Sequence, residues 1–83
     1  MINVKLETFK IAENISKICQ KYHDKYHIDM DAYYGRYVID ACSLLGLMSL
    51  VGNTIQIRAI TDDIEISDAL YRELQDKVGG IIG

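Results

Sequence analysis

The stretch "IDMDAYYGRYVIDACSLLGLMSL", Ile28 to Leu50, decides how the chain folds. Residues 28 to 33 alternate in polarity, Tyr34 and Gly35 supply a turn, and "RYVID" (Arg36 to Asp40) returns antiparallel, so the first half reads as a β-hairpin. Ser43 then stands where a helix cap is wanted, because its hydroxyl can accept a bond from a first-turn amide that has no helical partner. A short helix follows, to about Leu50. Leu44, Leu45, Leu47, Met48 and Leu50 are more apolar residues than one inward stripe of so short a helix uses. Spacing assigns Leu47, Leu50 and Val51 to the core, and leaves Leu44, Leu45 and Met48 as an exposed patch alongside the start of the first helix.

Outward from this stretch, Ile2, Val4 and Leu6 recur at every second position and define an opening strand. From about Ala12 to Tyr26 the apolar positions Ile15, Ile18, Cys19, Tyr22 and Tyr26 recur at three and four, with Glu13, Lys17, Lys21 and Asp24 on the other side, the pattern of an amphipathic helix. After Gly52 and Asn53, "TIQIRAI" (Thr54 to Ile60) resumes period two with Ile55 and Ile57 on one face. Asp62 and Asp63 suit the positive start of a last helix, as capping residues and not a catalytic dyad. Its apolar stripe is Ile66, Ala69, Leu70, Leu74 and Val78, and Gly79 and Gly80 end it. The tail "GGIIG" is expected to fray. The order strand, helix, strand, strand, helix, strand, helix predicts an α+β fold, an open-faced sandwich of a four-stranded antiparallel sheet with three helices on one face.

Eighty-three residues suffice for a single domain spanning 1–83, and 49% apolar and 25% charged residues without proline describe a chain that packs a core. Nine basic against twelve acidic side chains give a net charge of -3, which supplies no general field for phosphate backbones, so nucleic acid is not an expected partner. The longest apolar run, Leu44 to Val51, is broken by Gly46 and Ser49 and falls far below the roughly 20 residues of a membrane span. The opening "MINVKLETFK" lacks the pattern of a secretion signal, which leads to a cytoplasmic expectation. Cys19 and Cys42 have no metal-site spacing and are expected to stay reduced. Cys42, near a helix start, reads as a small half-buried side chain and not an activated thiol. His23 and His27, four apart, lack a third ligand, so neither metal nor cofactor is expected. Tyr22, Tyr26, Tyr33, Tyr34 and Tyr37 read as packing for the sheet edge and first helix, with hydroxyls reaching solvent.

"KYHIDMDAYYGRYVIDACSLLGLMSL" (Lys25 to Leu50), followed by "GNTIQIRA" and by "SDAL" at residues 67 to 70, resembles the bacterial HPr family, the histidine-containing phosphocarrier of the sugar phosphotransferase system. The most specific part is the pattern Ser43, Gly46, Met48, Ser49, Leu50 between a hairpin and a Gly-Asn turn. The resemblance implies a phosphocarrier histidine at the start of the first helix, an arginine two residues on and a proline three residues on. Counting back from Ser43 without gaps puts those positions at Ala12, Asn14 and Ile15. A methyl group cannot accept a phosphoryl group and an amide offers no cationic fork, so the expected chain is non-catalytic. The resemblance further implies regulatory phosphorylation of Ser43 by a serine kinase and docking of the surrounding helix onto a transcriptional regulator. Cys42 departs from the basic residue that commonly precedes this serine. The expectation is therefore a non-catalytic HPr-like regulatory or binding module with a protein partner, monomeric or weakly dimeric. Its rivals are a phosphocarrier using another nucleophile such as His23, and a degenerate structural remnant or self-associating subunit, a stable dimer joined at a sheet edge or the patch.

Overall fold

The computed structural model describes residues 1–83. The elements are β1 (Ile2–Leu6), α1 (Phe9–Tyr26), β2 (Asp29–Tyr34), β3 (Tyr37–Asp40), α2 (Leu44–Met48), β4 (Asn53–Ile60), α3 (Ile64–Val78) and β5 (Ile81–Ile82). The strands form one antiparallel sheet in the order β3-β2-β4-β1-β5. Alternation along the strands divides its two faces. Ile2, Val4, Leu6, Met30, Ala32, Ile55, Ile57 and Ala59 are buried in one core with Ile15, Ile18 and Cys19 of α1, Leu47 of α2 and Leu70, Tyr71 and Leu74 of α3. The alternate residues Lys5, Thr54, Gln56 and Arg58 are exposed, so the helices cover one face and water the other. An open-faced α+β sandwich results, and none of its helices is long and apolar enough to cross a membrane.

Four features depart from the periodicity. α1 starts at Phe9, a turn before Ala12, because the Thr8 hydroxyl accepts the Ile11 N–H at 3.2 Å and caps the helix. At its other end His27 takes the left-handed conformation usually given to glycine, with φ 55°, and its N–H reaches the His23 carbonyl at 2.8 Å. The hairpin loop is Gly35 and Arg36, not Tyr34 and Gly35. Tyr34 pairs with Tyr37, and Gly35 supplies the positive φ of 56° that the tight return needs.

The third departure is the tail. It does not fray: Ile82 and Ile81 pair with Ile2 and Asn3 and add a fifth strand. Gly80 makes this approach possible. A Cβ there would lie 2.5 Å from Ile2 Cδ1 and 2.8 Å from Ile2 Cγ1, and Ile2 is fully buried and cannot swing aside. On the α3 side, Asp63 caps the helix, its Oδ1 accepting the N–H groups of Glu65 at 3.0 Å and Ile66 at 3.3 Å. Ala69 of the expected stripe is exposed, and Tyr71 takes the inward position instead. The Tyr71 hydroxyl accepts the Ala59 N–H at 2.9 Å. β1 ends at Ile2, opposite Ile57, so two residues further on β4 has outrun that neighbour and a side chain replaces it.

Two substitutions test these contacts. Gly80→Ala forces a shift of Ile2 or of the tail, and should lower unfolding free energy by about 1–3 kcal/mol in urea titration. Tyr71→Phe leaves a buried amide without an acceptor and should cost about 1–3 kcal/mol in the same measurement. A neutral result for either would remove the contact assigned to it.

Candidate functional site

α2 is five residues long, too short to persist by its own hydrogen bonds, so its surroundings must hold it. The approach from β3 is fixed first. Asp40 Oδ1 accepts the Cys42 N–H at 2.8 Å, the Asp40 carbonyl accepts the Ser43 N–H at 3.0 Å, and the Ser16 hydroxyl of α1 donates to the Cys42 carbonyl at 2.6 Å. Ser43 is the cap: its Oγ accepts the Gly46 N–H at 3.2 Å. Beyond the helix, the Ser49 hydroxyl donates to the Gly46 carbonyl at 2.6 Å and the Gly52 N–H donates to the Leu6 carbonyl at 2.7 Å. Gly46 itself sets how close α2 lies to β3, since a Cβ there would meet Ile39 Cδ1 at 3.2 Å and Ser43 Oγ at 3.3 Å.

Held this way, α2 divides its side chains as the spacing predicts. Leu47 and Leu50 are buried and Val51 is half-buried against the core. Leu44 is 38% exposed, Met48 37% and Leu45 82%. A groove of about 340 Å³ runs beside the helix, lined by Tyr34, Tyr37, Ile39, Ser49, Leu50 and Asn53. Periodicity gives no sign of this groove, because it joins the hairpin to the end of α2 across ten or more residues of chain. The density of tyrosines around Gly35 was its one trace in the sequence.

Ala12 and Asn14 are not brought together into a pocket. Ala12 does not stand at the start of the first helix, as the gapless count expects. It lies a turn inside α1, fully buried, because the Thr8 cap moves the helix start upstream. Asn14 is half-buried and faces α3, beside Lys17, Ile18, Glu73 and Lys77. At the far end of α1, His23 Nδ1 lies 2.9 Å from the Ile28 carbonyl and 3.7 Å from Asp29 Oδ1. No group of three or more histidine, cysteine or acidic side chains is arranged to hold a metal ion. The tyrosines do not all reach solvent as expected. Tyr22 is buried, donates its hydroxyl to Glu73 Oε1 at 3.0 Å, and with the Lys21–Glu73 ion pair ties α1 to α3. Burial, and then the Glu73 carboxylate, push its phenol up to about 12.

The fold and this site define an open-faced α+β domain that presents a short, serine-capped apolar helix at one end of its sheet. Comparison of the chain with family models, curated proteins and solved structures gives no match.

Cys42 sits next to the cap with its thiol pushed up to about 12, first by burial and then by the Asp40 carboxylate. The sign follows directly: the neutral thiol is held across the physiological range and thiolate forms only in strong base. Alkylation by iodoacetamide at pH 8 should be about a thousandfold slower than for free cysteine, rising about tenfold per pH unit. Rapid labelling at neutral pH would contradict this environment.

Proposed function

We propose that the chain is a non-catalytic, HPr-like binding module that engages a protein partner through the serine-capped helix and the patch Leu44, Leu45 and Met48. The observation that carries this reading is the exposure of Leu45, 82%, beside Leu44 and Met48, on a helix that commits only Leu47 fully to the core. An exposed leucine is common, but three apolar side chains grouped on a helix pinned at both ends form a surface with a defined shape. Met48 adds a side chain that adapts to a partner's contour. The strand and helix order, and the placement of Ser43 as the cap, support the HPr-like part of the reading.

Regulation enters through Ser43. Its Oγ already accepts a first-turn amide, so phosphorylation adds charge at the positive end of α2, where backbone donors face it. The helix is retained while the charge beside Leu44 changes, which alters docking without unfolding the domain. The partner class is a transcriptional regulator or the serine kinase itself. The start of α1, where the resemblance expects the phosphocarrier histidine, carries Thr8, Phe9 and Lys10 and no imidazole, which supports the non-catalytic part of the reading.

Two measurements test the reading. Incubation with an HPr-type serine kinase and ATP should add one phosphoryl group by intact mass, and Ser43→Ala should abolish it. Titration of a candidate regulator with Leu45→Glu or Met48→Glu should weaken binding by at least about tenfold, the loss expected for a central apolar contact. Equal affinity of these folded variants would refute the patch.

A further inference from the structure

β3 closes one side of the sheet and pairs with β2 alone. Its outward groups follow from the ladder. Tyr34 and Tyr37 flank the two-residue loop, and one step beyond the last ladder pair, Asp31 with Asp40, the Ala41 N–H donates to the Met30 carbonyl at 2.9 Å. The pairs 30/41, 32/39 and 34/37 are therefore the closely hydrogen-bonded ones, and the backbones of Val38 and Asp40 point away from β2. The Asp40 carbonyl is occupied by the Ser43 N–H at 3.0 Å, but no strand takes the Val38 amide, the Val38 carbonyl or the Asp40 amide. Edges of this kind are usually blunted by shortness, proline or like charge. β5, at the other side, has two residues. β3 instead exposes Tyr37 at 66% and Val38 at 57%.

We propose that β3 is a self-pairing edge: two copies of the chain join antiparallel about a two-fold axis at Val38, merging two five-stranded sheets. The sequence "RYVID", Arg36 to Asp40, is complementary to its own reverse. Centring on Val38 sets Arg36 opposite Asp40 of the second copy twice, Tyr37 opposite Ile39 twice, and Val38 opposite itself. Opposite charges and aromatic with β-branched residues are the favourable cross-strand pairs. The outward parity admits few other registers. Centring on Arg36 or Asp40 sets like charges against each other, and centring on Tyr37 or Ile39 sets a charge against Val38. The closed two-fold pairing also leaves no free β3 edge for further growth. An interface of this size is weak and reversible. It uses the strand and not the α2 patch; Asp40 Oδ1 also holds the Cys42 N–H ahead of α2, so Arg36→Glu and Leu45→Glu are the variants that separate it from the function proposed above.

Sedimentation velocity of the full chain over a concentration series tests this pairing. The unmodified protein should show a reversible monomer–dimer equilibrium. Arg36→Glu, in an exposed loop, and Asp40→Lys should each weaken it by about tenfold or more, with folding of each checked by thermal unfolding. An equimolar mixture of the two variants should recover association, because every introduced charge then meets its opposite. Leu45→Glu should associate like the unmodified chain. A chain that stays monomeric throughout, an Arg36→Glu variant that dimerises normally, a mixture that fails to recover, or loss of dimer with Leu45→Glu would each overturn the proposal.

Discussion

β4 is hydrogen-bonded along both sides, to β1 and to β2, and the rest of the molecule depends on that double pairing. Ile57 lies opposite Ile2 on one side and Ala32 on the other, so the last long strand joins two pieces that otherwise share no edge. Its inward residues Ile55, Ile57 and Ala59 lie in the same core cluster as residues of all three helices. β2 and β3 pair across a two-residue loop, but β1 and β2 are joined only through residues 53 to 60 lying between them, so the contacts that close the sheet are non-local. Tyr71 then secures the part of β4 that extends past β1, and so binds α3 to the strand it follows in sequence.

The features legible in the sequence are those that depend on near neighbours. Ile2, Val4 and Leu6 alternate because one face is dry, and the split of Leu47 and Leu50 from Leu44, Leu45 and Met48 follows from helical geometry alone. What periodicity missed depends on single atoms or distant partners. The start of α1 is set by a threonine hydroxyl, and in its first turn only Ile11, four residues before Ile15 and packed against the core, continues the inward stripe. Ala12 accordingly lies in the core and not at a helix start. β5 exists because a glycine passes close over Ile2, a contact between the two ends of the chain. Tyr71 lies outside the expected stripe of α3, and its ring and hydroxyl serve different partners, one apolar and one a backbone amide.

α2 illustrates how stability and exposure are separated within five residues. Nucleation of so short a helix is unfavourable, and the offset comes from Leu47 in the core and from hydrogen bonds at both ends, not from Leu45. Leu45 is therefore free of a packing role. A side chain that contributes nothing to the fold can change identity with little effect on stability, so its identity is open to selection by a partner.

Of the exposed apolar side chains, Tyr34, Tyr37, Val38, Leu44, Leu45 and Met48 lie on the hairpin and α2, while others, Phe9, Ile60, Ile64 and Ile81 among them, lie elsewhere. The hairpin and α2 are in contact with each other. Gly46 lets α2 rest close on Ile39, while Leu50 and Tyr37 both line the groove beside that contact. Close packing at Gly46 and Ile39 fixes where α2 lies against β3. A charge placed on the α2 cap therefore acts on a helix whose position is registered, through Ile39, in the edge strand beside it.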